Sequence, residues 1–349
     1  MRMYTDPKGE AYEQVIDLAI QNSECFVLGE KIPAEGGRRR DYASVLEALE
    51  PYLMKTIVLH GKDDVIRTGK AYRSHAFYAE GTYYLYRCCE ESGQLLKQTA
   101  SSLSDWTYPR LPEDLCFLRA GGGDYLYSVV HERIYGMEVT EEEASELMDR
   151  VTGVFLELKA HRNLDRLLDD AIKHKTDWLY ISGHGLTELP ERIRELTELR
   201  ELEIFEQDLY RLPEALFELS KLERLRILTA DLESIPASIA KLKSLRELSI
   251  QCGSSDRPTP GFRVKPKEEI SLNRIPPEIG ELEQLERLTI QYTSIQELPL
   301  ELQKLTRLRS LDLGINRVDR KPDFLDGMKR LKYINLSQDS LWGTVDAEH

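Results

Sequence analysis

The pair His131-Glu132 is the first place where this sequence could carry metal chemistry. A zinc-protease motif needs a second histidine four residues after the first, so that both imidazoles reach one ion from one helix face. Position 135 is Tyr135, and the segment is predicted to be the end of a strand. The seven histidines also show no ligand spacing with the five cysteines. We therefore predict no bound metal and no cofactor.

A glycine run, Gly121-Gly122-Gly123, comes directly before Asp124. Glycine-rich loops cradle phosphate when they lie between a strand and a helix, normally with a Lys-Ser/Thr pair after them. Here a strand follows the glycines, and no lysine is near. The pattern favours a hairpin turn between two strands.

Nucleophilic chemistry has equally little support. The segment Ser182-Gly183-His184-Gly185 lacks the Gly-x-Ser-x-Gly spacing of a nucleophile elbow. An activity assembled in space in the N-terminal part would have to use Cys88, Cys116 or His131. We keep this as the alternative hypothesis: an enzyme with catalysis in the N-terminal domain and with repeats that select a protein substrate.

Composition and charge narrow the class of protein. The chain has 349 residues and a net charge of −14. Residues 1–174 carry 21 basic and 30 acidic groups, and residues 175–341 carry 26 and 29. This balance argues against binding to nucleic acid or to anionic membrane, since both need basic surface. Unpaired cysteines, a polar start at Met1 to Glu10 and no long apolar run predict a cytoplasmic location.

The C-terminal half is an internal repeat. Each unit has an L-x-x-L-x-I pattern, whose alternation predicts a short strand, and then a proline followed by apolar residues at helical spacing. One unit cannot bury both of its apolar edges, whereas stacked units bury a continuous core. The unit spans 23 residues, and its first leucine stands at Leu199, Leu222 and Leu245, and then at Leu285, Leu308 and Leu331.

These residues resemble the leucine-rich repeat family, in its 23-residue L-P-x-x-I-x-x-L class, over residues 175–341. The resemblance implies an α/β solenoid with a parallel sheet on its concave face, used for binding protein partners. The family usually places an asparagine five residues after the second strand leucine, where it ties neighbouring turns together. We expect a less regular ladder of turns, because these positions hold His184, Gln207, Ala230, Thr293, Asn316 and Asp339.

The fourth unit is interrupted. Its strand is complete at Ile250, but the next ladder leucine is Leu272 instead of position 255, an excess of 17 residues. The insert, residues 253–271, is predicted to project from the solenoid, and such loops are either functional or disordered. Its candidate protein-binding residues are Phe262, Arg263 and Lys265.

Residues 1–162 are predicted to form an α+β domain of unknown function. Helical spacing predicts a helix over 9–20 and another after the capping box Thr140-x-x-Glu143. Two β-forming runs, Tyr72–Tyr78 and Tyr83–Cys88, predict a hairpin. Residues 40–140 resemble a small domain of unassigned function from Gram-positive spore-forming bacteria, which implies a bacterial origin.

The remaining boundaries follow from the need to close the repeat stack. Residues 163–174 have one apolar helical face and are predicted to cap the exposed end of the solenoid. The repeats then run over 175–341, and residues 342–349 form a C-terminal tail.

Strand residues between the buried leucines form the candidate binding surface on the concave face. Aromatic residues cluster on the first two strands, and aromatic and arginine side chains are what protein interfaces use as anchors. Charge alternates from strand to strand, which also fits pairing within the molecule, and the aromatics could instead pack against the N-terminal domain. The candidates are Trp178, Tyr180, Glu203, Phe205, Arg224, Arg226, Gln251, Arg287 and Gln291.

The sequence therefore predicts a non-catalytic module. It would bind a protein partner through the concave face and the inserted loop, in a regulatory or immunity-type role. Neither nucleic acid nor membrane is among its predicted partners.

Overall fold

A computed structural model of the chain describes residues 1–31, 42–253 and 269–337. The chain divides into two compact units, Met1–Lys159 and Ala160–His349. The candidate residues of the insert, Phe262, Arg263 and Lys265, lie outside the described residues, as does the predicted tail over 342–349.

The first unit combines helices with an antiparallel sheet. Its helices are α1 Glu10–Asn22, α2 Ala43–Leu49, α3 Lys62–Tyr72, α4 Glu90–Thr99 and α5 Glu141–Arg150. Its strands are β1 Cys25–Lys31, β2 Leu53–Leu59, β3 Gly81–Arg87, β4 Glu113–Leu118, β5 Asp124–Val129 and β6 Ile134–Met137. They form one sheet in the order β2-β3-β1-β4-β5-β6, and each neighbouring pair is antiparallel.

Two predictions for this unit are confirmed. Helix α1 buries Tyr12, Val15 and Ile16 on one face, as their spacing predicts. Helix α5 begins with the predicted capping box, in which the Glu143 N–H donates to Thr140 Oγ1 at 3.2 Å and the Thr140 N–H donates to Glu143 Oε2 at 2.7 Å.

The predicted hairpin of Tyr72–Tyr78 with Tyr83–Cys88 is wrong. Helix α3 extends to Tyr72, and β3 pairs instead with β2 and β1. The segment after α3 is held outside the ladder by two buried carboxylates. Asp124 accepts a hydrogen bond from the Ser74 hydroxyl at 2.6 Å, and Asp114 accepts one from the Tyr78 hydroxyl. These side-chain bonds replace the strand pairing that the aromatic residues favour.

The second unit is a stack of repeats. It starts with α6 Leu164–Lys173 and continues with seven strands, which are β7 Trp178–Ser182, β8 Glu201–Phe205, β9 Arg224–Thr229, β10 Glu247–Cys252, β11 Arg287–Gln291, β12 Ser310–Asp312 and β13 Tyr333–Asn335. The strands form one parallel sheet in chain order. This arrangement fits a leucine-rich repeat solenoid.

Each proline of the repeat precedes a short 3-10 helix. Pro213, for example, lies before the helix Glu214–Glu218, and Pro299 lies before Leu300–Lys304. These helices bury the apolar residues that the helical spacing predicted, such as Leu216 and Leu302. The core of the unit therefore lies between the row of strands and the row of 3-10 helices.

The insert does not change the register of the parallel sheet. Strand β11 pairs with β10 directly, with Leu248 opposite Leu288 and Ile250 opposite Ile290. Where the chain returns from the insert, Asp231 of the preceding repeat accepts hydrogen bonds from the Ser271 N–H at 2.7 Å and from its hydroxyl at 2.9 Å. The stacking of the repeats thus continues after the insert.

The turns after the strands are tied by different side chains in different repeats. Asn316, the one asparagine at the family position, accepts from the Thr293 N–H at 2.9 Å and donates to the Ile290 carbonyl at 2.7 Å. In two earlier repeats the residue that bonds the neighbouring turn is one position before the family asparagine position. These residues are Glu206 and Thr229. The Thr229 hydroxyl donates to the Leu209 carbonyl at 2.6 Å.

Helix α6 is joined to the first repeat by packing and by charge. It buries Leu167, Leu168 and Ala171. Its Asp169 accepts a hydrogen bond at 2.7 Å from Arg192 in the 3-10 helix Glu191–Glu195. We propose, as the sequence suggests, that α6 caps this end of the stack. Among all the described residues, no helix is long and apolar enough to span a membrane.

Candidate functional site

The candidate site is the outward face of the parallel sheet, meaning the strand side chains that alternate with the buried ones. In β7, Leu179 and Ile181 are buried, whereas Trp178, Tyr180 and Ser182 are half-buried. The same alternation continues through the following strands because the side-chain period of a strand is two residues.

Parallel pairing in register arranges the outward residues in three rows. The first row is Trp178, Glu201, Arg224, Glu247 and Arg287; the second is Tyr180, Glu203, Arg226, Ser249 and Thr289; the third is Ser182, Phe205, Leu228, Gln251 and Gln291. All nine sequence-predicted residues of this face therefore lie on one surface. Their role in binding stays a prediction.

Each arginine among the candidates on this face is paired with a glutamate on the neighbouring strand. Arg224 bonds Glu201, Arg226 lies 3.5 Å from Glu203, and Arg287 lies 3.5 Å from Glu247. Gln251 Nε2 donates to Gln291 Oε1 at 3.0 Å. The alternation of charge is thus a set of cross-strand pairs. Exposed pairs of this kind contribute at most about 1 kcal/mol each to stability.

The apolar residues of this face gather at one corner of the sheet. We call Trp178, Tyr180, Phe205 and Leu228 the apolar corner; they lie on β7, β8 and β9, and each is half-buried. Glu203 accepts a hydrogen bond from the Trp178 indole at 3.3 Å. Apolar, mainly aromatic side chains next to paired charges have the composition of an interface core with a polar rim.

A further line of charges precedes the strands, at the position after the first leucine of each repeat. Glu223 bonds Arg200 and lies 3.9 Å from Arg246, and Glu286 lies 3.2 Å from Arg246 and 3.7 Å from Arg309. We call these five residues the charge ladder. It continues across the insert, because β10 and β11 stay in register.

The candidates for hidden catalysis, two cysteines and one histidine, lie in different surroundings. Burial raises the pKa of the Cys88 thiol well above its ordinary range, with smaller contributions from Cys25 and Cys89. Cys116 is fully buried. His131 lies in a 3-10 turn after β5, with its Nδ1 3.1 Å from the Tyr78 hydroxyl. A raised thiol pKa disfavours the thiolate that nucleophilic catalysis requires.

Comparison with known families identifies the repeats. Residues 175–262 match the model of a leucine-rich repeat region. No curated protein matches the chain. The family match begins at the start of the predicted repeat array but does not cover residues 263–341. It also does not cover the segment 40–140, whose resemblance to a domain of spore-forming bacteria stays a prediction. Residues 175–262 are thus similar to a leucine-rich repeat region, and leucine-rich repeat proteins are generally protein-interaction modules.

Several solved structures are similar in part to the chain. An internalin from Listeria monocytogenes shares 19% identity over 43% of this chain and 38% of its own, with a TM-score of 0.34. A leucine-rich repeat protein of Leptospira interrogans shares 24% identity over 48% and 51% of the two chains, with a TM-score of 0.32. The repeat domain of the type III effector XopL shares 23% identity over 58% and 66%, with a TM-score of 0.41. The chain thus spans between 38% and 66% of the length of these proteins.

Sequence reasoning missed one cluster in the first unit. His75, Asp124 and Glu138 come together in space, although no local motif connects them. The one sequence signal is the glycine run before Asp124, which correctly predicts a turn: it joins β4 to β5, with positive φ at all three glycines. Only the tertiary contacts of that turn reveal the cluster.

Proposed function

We propose that the repeat unit is a protein-binding module whose contact surface is the outward face of the sheet, centred on the apolar corner. The observation that carries this proposal is the placement of four half-buried apolar side chains on the same face of three adjacent strands, in the segment that matches a leucine-rich repeat region. Aromatic side chains supply large contact area at low entropic cost, and they dominate many protein interfaces.

The charge pairs set a different expectation for the rest of the face. Arg224, Arg226 and Arg287 each have a carboxylate partner within the molecule. A partner protein would have to compete with those carboxylates. We therefore expect the arginines to influence the rate of association and its salt dependence, and the apolar corner to supply most of the affinity.

Site-specific photo-crosslinking tests this surface. A photoreactive phenylalanine analogue replaces Tyr180 or Phe205 and, as a matched control, Tyr210, an aromatic residue outside the sheet that is 42% exposed. A protein partner should crosslink from positions 180 and 205 and not from 210. Alanine at 180 and 205 together should weaken binding of that partner at least tenfold, whereas Tyr210→Ala should leave it unchanged. Crosslinking from 210 alone would refute the assignment.

The inserted loop belongs to this proposal on sequence grounds, through Phe262, Arg263 and Lys265. A variant without residues 254–268 keeps Asp231 and Ser271 in place and tests the contribution of the loop. Unchanged affinity would remove the loop from the binding surface. A regulatory or immunity-type role is the narrower form of the proposal, and a neighbouring toxin gene that encodes the crosslinked partner would support it.

A further inference from the structure

A histidine and two carboxylates converge at one end of the antiparallel sheet. One ring nitrogen of His75 and one oxygen each of Asp124 and Glu138 lie within 4.8 Å of one another. Asp124 is the first residue of β5, and Glu138 directly follows β6 on the neighbouring strand, where its N–H donates to the Tyr125 carbonyl at 3.0 Å. His75 lies on the segment that follows α3.

The glycine turn brings His75 to this place. The Gly123 N–H donates to the Tyr72 carbonyl at 2.8 Å, and Arg73 Nη2 donates to the Gly121 carbonyl at 2.9 Å. A Cβ atom at position 122 would lie 2.9 Å from the Tyr72 carbonyl oxygen, so this position requires glycine. The turn and the end of α3 are therefore in direct contact, and His75 follows that contact by two residues.

Two of the three groups are held in position by hydrogen bonds and by a ring contact. Asp124 is fully buried, and its Oδ2 accepts from the His75 N–H at 2.8 Å and lies 2.7 Å from His75 Nδ1. The His75 ring stacks on Tyr127, with ring centroids 4.2 Å apart. The Ser74 hydroxyl donates to Asp124 Oδ1 at 2.6 Å. Contacts from residues outside the cluster, such as those of Tyr127 and Ser74, orient a ligand side chain before an ion binds.

The charge of the cluster favours a cation. In the described part of the chain, no ion pair joins Asp124 or Glu138 to a lysine or arginine, and His75 is the one ionisable partner of Asp124. Two carboxylates this close repel each other, and a divalent cation between them would offset both charges. The His75 side chain is 53% exposed and Glu138 is also exposed, so an ion can enter from solvent.

We propose that His75, Asp124 and Glu138 form a binding site for a divalent transition-metal ion of the Zn²⁺ type. One imidazole nitrogen and two carboxylate oxygens suit Zn²⁺ or Mn²⁺ better than Mg²⁺ or Ca²⁺, which prefer oxygen ligands throughout. Zinc ligands lie about 2.0–2.2 Å from the ion. Water completes the coordination, so the site is open.

Metal titration of the full-length, tag-free protein tests the site. After treatment with a chelator, the protein is titrated with Zn²⁺ by calorimetry and, separately, with Mg²⁺. The expected result is saturable binding of one Zn²⁺ per chain, at least tenfold tighter than Mg²⁺. Affinity should fall as the pH is lowered, because protons compete with the ion for the ligand atoms.

Matched variants locate the ion. His75→Ala and Glu138→Gln should each weaken Zn²⁺ binding at least tenfold. The controls are His131→Ala and Glu132→Gln, which change a histidine and a glutamate in the same unit. The exposed fractions of these two side chains are 50% and 55%, against 53% for His75. Both control variants should bind Zn²⁺ as the wild type does. Circular dichroism without metal checks that each variant is folded. If His75→Ala does not fold, Glu138→Gln still tests the site, because Glu138 is exposed. Absence of stoichiometric Zn²⁺ binding, or binding that survives Glu138→Gln, would overturn the proposal.

Discussion

Replacing Glu206 with alanine should destabilise the first repeats. The Glu206 side chain is only 2% exposed, and its carboxylate accepts three backbone hydrogen bonds from the turn of the preceding repeat. The donors are the N–H groups of His184 at 2.7 Å, Gly185 at 3.0 Å and Leu186 at 3.3 Å. Alanine would leave all three donors without this acceptor.

The size of the effect follows from these contacts. A hydrogen bond to a charged group contributes roughly 1.5–3 kcal/mol. The turn is partly exposed, so water will replace part of what is lost, and the 3.3 Å contact is weak. We expect the free energy of unfolding of the repeat unit to fall by about 3 kcal/mol. For a unit of this size, that corresponds to a fall in Tm of about 6–12 °C.

Urea unfolding followed by tryptophan fluorescence measures the loss, since Trp178 begins the strand before the affected turn. Hydrogen exchange at the amides of 184–186 gives a local measure and should become faster in the variant. Glu206→Gln keeps one acceptor oxygen and should lose an intermediate amount.

Glu233→Ala is the control, because Glu233 has an arginine partner, Arg211 at 2.7 Å, but is exposed. Glu233→Ala should lower the free energy of unfolding by less than about 1 kcal/mol. Equal losses in Glu206→Ala and Glu233→Ala, or unchanged exchange at 184–186, would refute the reasoning.

Two further predictions concern thiols and the charge ladder. Burial raises the pKa of Cys25 to about 11 and that of Cys252 to about 12, so at pH 8 both should react with iodoacetamide roughly 100-fold or more slowly than free cysteine, whose pKa is about 8.5. A rate equal to that of free cysteine at either thiol would contradict the burial of that side chain. Glu223→Arg places a third positive charge between Arg200 and Arg246 and should lower the free energy of unfolding by about 1 kcal/mol more than Glu223→Gln. Because salt screens exposed charges, that difference should shrink in 1 M NaCl, and a difference independent of salt would contradict an electrostatic origin.

Much of the repeat unit could be predicted because its rules are local. Strand alternation at Leu202 and Ile204, and helical spacing after Pro213, depend on residues within one unit. Repetition then implies stacking, since no unit can bury its apolar edges alone. The outward position of Trp178, Tyr180 and Phe205 follows from the same alternation. The insert could also be predicted, because it interrupts the 23-residue period of the repeats.

Other features of the repeats required the stacked structure. The sequence offered two explanations for the alternating charges, and the register of β8 with β9 decided that Glu203 lies beside Arg226. The tie supplied by Glu206 was also missed, because the family pattern points to position 207. Which neighbouring donors a buried carboxylate reaches depends on the packing of one repeat on the next.

In the first unit the sequence alone determined less. Local spacing predicted α1 and the capping box of α5, but it misassigned the segment Tyr72–Tyr78, whose β-forming residues favour a strand. Two aspartates distant in sequence override that preference, since Asp124 and Asp114 are buried and need the donors that the segment supplies. The juxtaposition of His75, Asp124 and Glu138 has the same origin. It depends on strand pairing and on a close backbone contact at Gly122, and such long-range contacts leave no periodic signal in the sequence.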